Sequence, residues 1–259
     1  MIIDIRNGAL YAGSDEKLVF RSTDGGLNWE AIGQTDDEIL SLVLDYRFGT
    51  LYAGTRHSGV FRSVDGGRTW EGFSSGLPKS DSQFEGSNIT NIQCLAIDGR
   101  DGTVYAGTTS GIFRSKDGGR TWETINLHVS GPNITSLVVD SQGGTLYAVT
   151  FDGLYRTSDD GSNWDWASNG LAARSSFPVY FSLALDYRDG TLYAGTGDKG
   201  VFRSTDGGRT WQAIGPANNP IYSLTVDSRN GILYGWSEHY EAVFYTADGG
   251  RSWKADYPN

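Results

Sequence analysis

The chain has 259 residues, of which 38% are hydrophobic and 20% charged, with a formal net charge of −10. Its 36 glycines follow no triplet period, which excludes collagen, and 13% aromatic residues argue against disorder. The acidic balance, the lack of a long apolar run and the single cysteine predict no nucleic-acid partner, no membrane insertion and no internal disulfide framework.

Short runs rich in Val, Ile, Leu, Tyr and Phe recur along the chain in six similar units. In the second unit we predict four strands, at Ile39–Asp45, Thr50–Thr55, 59–63 and 69–73, separated by Gly, Asp and Asn turns. No run has the length or the 3.6-residue period of a helix. Four antiparallel strands in each repeat of about 40–45 residues are typical of a β-propeller blade, and the alternative, an open β-solenoid, fits hairpin-connected strands less well.

The sequence therefore predicts an all-β, six-bladed β-propeller that forms one domain over residues 1–259. The predicted blades span residues 1–34, 35–78, 88–130, 131–171, 179–217 and 218–259. The first and last blades start and stop in phase with the repeat, so we expect the ring to close by packing, without a strand clasp, or the chain to be a segment of a longer protein.

Each unit carries one especially regular motif, which reads Ser22-Thr23-Asp24-Gly25-Gly26-Leu27-Asn28-Trp29 in the first. An aspartate can accept hydrogen bonds from a tight turn, paired glycines supply positive φ angles, and the tryptophan can begin the outer strand with its ring buried. We predict structural roles for all of these residues: Asp24, Asp65, Asp117, Asp159, Asp206, Asp248, Trp29, Trp70, Trp122, Trp164, Trp211 and Trp253.

The motif resembles the Asp-box, or bacterial neuraminidase repeat, of propellers such as sialidases, xyloglucanases, sortilin and photosystem II assembly factors. The resemblance covers all six units. It implies that the box lies between the third and fourth strands of each blade, away from the face that such propellers usually offer to ligands. It does not imply one function, because this fold carries many.

Arginine counts bear on the sialidase interpretation. Fourteen of the sixteen arginines repeat in register and are expected to belong to the scaffold, which leaves Arg56 and Arg174. A sialidase-like site clamps a substrate carboxylate with three arginines, so we do not expect that activity. The basic patch that the resemblance to photosystem II assembly factors implies also has no obvious counterpart in these two residues.

Function on a repeat fold is expected where the repeats differ. Two insertions, Lys79–Asn88 and Ala172–Val179, lengthen the repeat, and they and the irregular turns are expected on the face opposite the boxes. Trp236 replaces the glycine of the recurring Leu-Tyr-Ala-Gly element. Residues that depart from the pattern of their repeat often have a functional role. The candidate binding residues on this surface are Trp236, His239, Tyr240, Arg56, His57, Phe151, Phe177 and Arg174.

Carboxylates near these aromatic residues leave a catalytic interpretation open. Glu238, Asp198 and Asp152 are the candidates, since paired carboxylates about 5–9.5 Å apart can hydrolyse a glycoside. No Ser/His/Asp triad, phosphate loop, zinc motif or dinucleotide fingerprint is present, so we predict no cofactor and no metal. Cys94 takes an inner-strand serine position and is expected to be a buried structural thiol.

Together these patterns favour a non-enzymatic scaffold that binds a protein or another ligand on the face opposite the boxes. The alternatives are a glycoside hydrolase or carbohydrate-binding propeller, and a recently amplified repeat with no dedicated ligand. We expect a monomer whose partner is a protein or a carbohydrate. The N-terminus shows no secretion leader, which predicts a cytoplasmic protein or a trimmed form of an exported one.

Overall fold

The computed structural model describes residues 1–79, 91–129, 133–171, 181–197, 199–217, 219–237 and 239–257. Every regular element in these ranges is a β-strand, so the predicted all-β class is confirmed. No helix long and apolar enough to cross a membrane occurs in the described ranges.

The strands form six four-stranded antiparallel sheets, each built from consecutive strands. The first three sheets hold β1 (Ile2–Asp4), β2 (Ala9–Gly13), β3 (Leu18–Ser22) and β4 (Glu30–Gln34); β5 (Ile39–Asp45), β6 (Thr50–Thr55), β7 (Val60–Ser63) and β8 (Glu71–Gly72); β9 (Ile92–Ile97), β10 (Val104–Thr108), β11 (Gly111–Ser115) and β12 (Glu123–Ile125). The last three hold β13 (Ile134–Asp140), β14 (Thr145–Thr150), β15 (Leu154–Thr157) and β16 (Asp165–Trp166); β17 (Phe181–Asp186), β18 (Thr191–Thr196), β19 (Gly200–Ser204) and β20 (Gln212–Gly215); β21 (Ser223–Asp227), β22 (Ile232–Ser237), β23 (Ala242–Thr246) and β24 (Lys254–Asp256). These sheets are the blades of the predicted six-bladed β-propeller, and that fold class is confirmed.

The up-and-down order gives every blade two distinct ends. The turns between its first and second strands and between its third and fourth strands lie at one end, which we call the box end because it carries the Asp-box. The turn between its second and third strands lies at the other, which we call the open end. The candidate binding turns predicted from the sequence belong to the open end.

The chain divides into two compact units, Met1–Leu137 and Val138–Asn259. In the first unit, neighbouring blades share apolar cores, one joining Val19 to Leu42 and the next joining Tyr52 to Val104. The second unit repeats this arrangement, with one core joining Leu154 to Leu192 and another containing Val201, Leu233 and Phe244.

Close packing between blades explains the Leu-Tyr-Ala-Gly element of the second strands. All six residues of β6 are buried, because the strand is covered on both of its faces. A Cβ atom at Gly54 would lie 2.5 Å from Cγ2 of Ile92 in the next blade, and one at Gly107 would lie 2.6 Å from Cγ2 of Ile134. In these two blades glycine is therefore required for the next inner strand to approach, whereas the fourth blade accommodates Val149 at the equivalent position.

The outer strand of the second blade is shorter than the sequence predicts. The fourth strand of the second blade was expected over residues 69–73, but β8 covers Glu71–Gly72 only. Thr69 is held by the box turn, since its N–H and hydroxyl both donate to Asp65. Beyond Gly72, the hydroxyl of Ser74 accepts from the N–H of Val60 and replaces a backbone ladder bond. Side-chain hydrogen bonds thus shorten this strand from both sides.

Candidate functional site

The carboxylate of each Asp-box accepts at least three hydrogen bonds. Oδ1 of Asp206 accepts from the hydroxyl of Ser204 at 2.8 Å and the N–H of Thr210 at 2.9 Å, and Oδ2 accepts from the Thr210 hydroxyl at 2.6 Å. The side-chain and backbone hydrogen bonds from Thr210 lower the pKa of Asp206 to about 2. A carboxylate with so low a pKa cannot serve as a general acid near neutral pH.

The other five boxes follow the same pattern, with Thr, Ser or Asn as the donor four residues after the aspartate. The pKa is about 2 at Asp24, Asp117 and Asp159 and lower still at Asp65 and Asp248. The glycines that follow adopt positive φ, as at Gly207 (70°) and Gly208 (80°). These contacts all lie inside the turn, so the geometry supports a structural role for the box.

Three of the box tryptophans tie consecutive blades together by a hydrogen bond. The indole Nε1–H of Trp122 donates to the carbonyl of Phe73 in the preceding blade at 3.0 Å, and that of Trp211 donates to Ala167 at 2.7 Å. Trp253 donates in the same way to Ile214. Trp29, which is 39% exposed, instead donates to Gly26 of its own box. Trp70 likewise donates to Gly67 of its own box, and Nε1 of Trp164 makes no hydrogen bond among the described residues, so the bond between blades is a feature of three of the six boxes.

A second aspartate motif at the box end links the first and second strands of five blades. The buried carboxylate of Asp45 accepts from Nη2 of Arg47 at 2.7 Å and from its Nε and backbone N–H at 3.0 Å. The fourth blade has Gln142 in place of the arginine. The sequence placed these arginines in the scaffold, and the same Asp-x-Arg pairs recur at Asp4–Arg6, Asp98–Arg100, Asp186–Arg188 and Asp227–Arg229.

At the open end of the first unit, Arg56 and His57 each meet a carboxylate of the segment before β5. Nη2 of Arg56 lies 2.7 Å from Oε1 of Glu38, and the backbone N–H of His57 donates to the carboxylate of Asp37. The side chains of Arg56 and His57 remain about half exposed. These contacts fix the conformation of the turn and leave both side chains partly exposed to solvent.

At the open end of the second unit, the last blade carries a group of exposed rings. Tyr240, 41% exposed, makes edge-to-face contacts with His239 (centroids 4.7 Å apart) and with Phe244 (6.3 Å). Trp236 is 38% exposed on β22. Phe151 and Asp152 are exposed on the turn between β14 and β15.

Four of the predicted site residues lie outside the described part of the chain: the catalytic candidates Glu238 and Asp198 and the binding candidates Phe177 and Arg174. Within the described ranges, no group of three or more His, Cys, Asp or Glu side chains could hold a metal. Burial raises the pKa of Cys94 to about 12, so its thiol is not an activated nucleophile.

Two cavities of about 330 Å³ lie at the box end of the first unit, where sequence reasoning expected no site. The first, between blades one and two, is lined by Tyr11, Arg21, Glu30, Ala31, Ile32, Gly66 and Arg68. The second, between blades two and three, has Tyr52, Arg62 and Lys116 among its lining residues. Arg21, Arg62 and Arg68 occupy repeat positions that the sequence assigns to the scaffold, so no ligand site was predicted from them.

Comparison with known families decides which group the chain belongs to. The family model of the photosynthesis system II assembly factor YCF48 matches residues 34–173, which is more than half of the chain. The chain belongs to the YCF48 family. A model of the BNR/Asp-box repeat also matches residues 202–213, in agreement with the resemblance seen in the sequence.

Solved structures share the fold of this YCF48-family chain. The GH74 enzyme of Niastella koreensis has a TM-score of 0.77 at 21% identity, and the GH74 xyloglucanase of Xanthomonas campestris has 0.71 at 20%. Each comparison covers 98% of this chain but 44% of the enzyme, so the chain spans less than half the length of either.

A structure of YCF48 bound to D1 peptide has a TM-score of 0.66 at 17% identity and covers 95% of this chain and 77% of that one. Identities this low show a common fold and no more. No curated protein sequence matches the chain.

Proposed function

We propose that the chain is a non-enzymatic propeller scaffold that binds a protein segment at the open end of its blades. Membership of the YCF48 family supports this, and a protein of that name has been solved with a D1 peptide bound. The exposed side chains of this chain, and not the relative's ligand, indicate the chemistry of the segment that it binds.

The exposed Trp236 carries the proposal. It stands at the position of Gly54 and Gly107, where a side chain would collide with the next inner strand in the second and third blades. Its indole is instead 38% exposed. Four blades have glycine at this position and the fourth has the fully buried Val149, so an exposed indole is a departure from the repeat, which favours a role in binding.

The neighbouring rings supply the chemistry of a protein contact. Tyr240 is held edge-to-face by His239 and Phe244, so its orientation is fixed before any ligand arrives. Tryptophan and tyrosine dominate the binding energy of protein interfaces, because they offer a large apolar area with little loss of side-chain entropy. An extended segment with apolar side chains fits this surface best.

The glycoside hydrolase or carbohydrate-binding alternative rests on the same aromatic residues and on Asp152, Asp198 and Glu238. The likeness to GH74 enzymes reflects a shared fold at about one-fifth identity and carries no activity to this chain. Hydrolysis of a chromogenic glycoside that is lost in Glu238→Gln or Asp198→Asn would favour this alternative over the scaffold.

Selection from a phage-displayed library of unstructured peptides tests the proposal. Peptides enriched on the wild-type chain are expected to bind the Trp236→Ala variant at least tenfold more weakly, since a central aromatic contact is worth about 2 kcal/mol or more. Trp166→Ala is the matched control, because Trp166 is 37% exposed but lies on an outer strand. Equal losses in the two variants, or no enriched peptide, would contradict the proposal.

A further inference from the structure

The last two blades of the second unit show how one blade receives the next. Ile221, which precedes β21, packs against Gly195 of the fifth blade, where an added Cβ would lie 3.0 Å from the Cγ2 of Ile221. The N–H of Ile221 donates to the carbonyl of Thr196 at 2.9 Å, and that of Leu224 donates to the hydroxyl of Ser182 at 2.8 Å. A close side-chain fit and hydrogen bonds to the backbone of the arriving strand thus seat the sixth blade on the fifth.

The same contacts recur in the first unit. Ile92 packs against Gly54 of the second blade, and the N–H of Leu95 donates to the hydroxyl of Ser41 at 3.0 Å. The spacing of isoleucine and leucine is repeated at Ile39–Leu42, Ile134–Leu137 and Ile221–Leu224. An extended Ile-x-x-Leu segment is therefore the part of a blade that docks on the face of the blade before it.

The sixth blade has a corresponding face, and strand pairing gives each of its positions an equivalent in the fifth blade. The equivalent pairs are Ser223 and Ser182, Trp236 and Gly195, Thr225 and Ala184, Tyr234 and Tyr193, and Val243 and Val201. In the fifth blade, Tyr193 and Val201 are buried in a core shared with the sixth. In the sixth blade, Tyr234 and Val243 are only partly buried, and Thr225 is exposed. This face thus has the residue pattern of an interface between blades without its burial.

Trp236 changes the fit at the centre of this face. A Cβ at the preceding Gly235 would meet Ile221 and Leu224, so Gly235 faces the fifth blade and Trp236, next along the strand, points to the opposite face. In the second, third and fifth blades, glycine at this position leaves room for the isoleucine of the next blade. A docking segment with isoleucine there would collide with the indole of Trp236, whereas one with glycine would leave room for the ring.

We propose that this face binds an extended segment of a partner protein as an additional inner strand, with glycine at the position of Ile221 and leucine three residues later. The large and small residues are exchanged relative to the interfaces within the chain, because here the blade contributes the large side chain. The leucine N–H of the segment donates to the hydroxyl of Ser223, which is exposed and equivalent to Ser182. The proposal rests on the proposed function, since it names the segment that binds at Trp236.

A second copy of the chain fits this face less well than such a partner. The described Ile-x-x-Leu segments all carry isoleucine at the docking position, and Ile39, Ile92, Ile134 and Ile221 are already packed against a glycine of the preceding blade. Two copies that each have a net charge of −10 also repel each other. A partner segment that carries glycine and basic flanking residues meets neither obstacle.

A pair of acetylated and amidated peptides tests this exchange of sizes. The first reads Lys-Thr-Thr-Gly-Thr-Ser-Leu-Thr-Thr-Lys, and the second has isoleucine in place of the glycine. When fluorescently labelled peptides are titrated with the full chain, the polarisation is expected to show the glycine peptide binding about tenfold more tightly than the isoleucine peptide. Trp236→Gly, which restores the residue of four other blades, is expected to reverse this preference.

Two further variants sharpen the test, and thermal melting checks that each is folded. Trp166→Gly is the matched control, because Trp166 is 37% exposed on the outer strand β16, and it should keep the wild-type preference. Ser223→Ala is expected to weaken binding of the glycine peptide about fivefold by removing one hydrogen bond, and it serves as the test if Trp236→Gly does not fold.

Four results would overturn the proposal. They are the absence of saturable binding by the glycine peptide, an unchanged preference in a folded Trp236→Gly variant, full affinity in Ser223→Ala, and a wild-type dimer in sedimentation velocity that dissociates in Trp236→Gly. The last of these would show that a second copy of the chain covers the face.

The result is separable from that of the proposed function. Phage-selected peptides that bind through Trp236, together with no reversal of preference between the two synthetic peptides, would leave the scaffold proposal standing and overturn the strand-docking face. A reversal of preference, together with selected peptides that bind Trp236→Ala as tightly as the wild type, would do the opposite.

Discussion

The box end and the open end of the blades are built on different principles. At the box end, carboxylates such as Asp45 and Asp206 each accept three hydrogen bonds from residues two or four positions away. At the open end, Arg56 pairs with a carboxylate while half exposed, and Trp236 and Tyr240 present large rings to solvent. Repetition thus secures the fold at one end, and this frees the turns at the other end to vary without unfolding the blades.

Acid unfolding should give the largest difference between the two ends, because low pH protonates the carboxylates of all the boxes at once. The folded pKa of Asp206 is about 2 against an ordinary value near 3.8, so between these values the unfolded chain binds protons that the folded chain does not. The contribution of Asp206 and its equivalents to the free energy of unfolding is therefore fully present above about pH 4 and is lost as the pH falls towards 2. Asp4, Asp45 and Asp186 have lowered pKa values as well and add to the same trend.

We expect the melting temperature, followed by circular dichroism between pH 7 and pH 2, to fall most steeply between about pH 4 and pH 2. Asp206→Asn, which removes one of these groups, should flatten that fall slightly and leave the profile above pH 5 parallel to the wild type. A main loss of stability above pH 5 would mean that groups other than the box-end carboxylates control it.

A single buried carboxylate should give the next largest effect. Asp45→Ala removes the acceptor of three hydrogen bonds from Arg47, at a cost of about 3 kcal/mol in the free energy of unfolding. Asp152→Ala, at the open end, is the control and should change stability by less than about 0.5 kcal/mol. Urea unfolding of the two variants measures the difference. Similar costs at both positions would break the distinction between the ends.

The sequence predicted most of the box end because its contacts are local. The spacing of Asp24 and Asn28 places donor and acceptor within one turn, so residue types alone imply the bond. The bond from Trp211 to Ala167 joins residues 44 positions apart, and no local pattern could reveal which carbonyl receives it. The Nε of Arg21, which makes no hydrogen bond among the described residues, could not be predicted for the opposite reason: its residue type follows the repeat, and only its contacts differ.

The bond between blades at Trp211 supplies a prediction of intermediate size. Trp211→Phe keeps a buried ring but loses the bond to Ala167 and leaves that carbonyl without its donor, which should cost about 1–2 kcal/mol. Trp29→Phe is the control, because the indole of Trp29 is 39% exposed and bonds within its own box. If Trp29→Phe costs as much, the tryptophan stabilises the turn itself and not the contact between blades.

The smallest effect on the melting temperature is expected from substitution of Arg56 at the open end. The guanidinium of Arg56 is half exposed and pairs with Glu38 at the surface, where solvent screens the attraction and ordering two long side chains offsets it. Arg56→Gln should therefore leave the melting temperature unchanged within error. Arg62→Gln, which removes a bond between blades two and three, should lower it measurably in the same assay. An equal fall in melting temperature for Arg56→Gln and Arg62→Gln would show that this open-end turn stabilises the fold as much as the box end does. The turn could then not vary freely to suit a ligand.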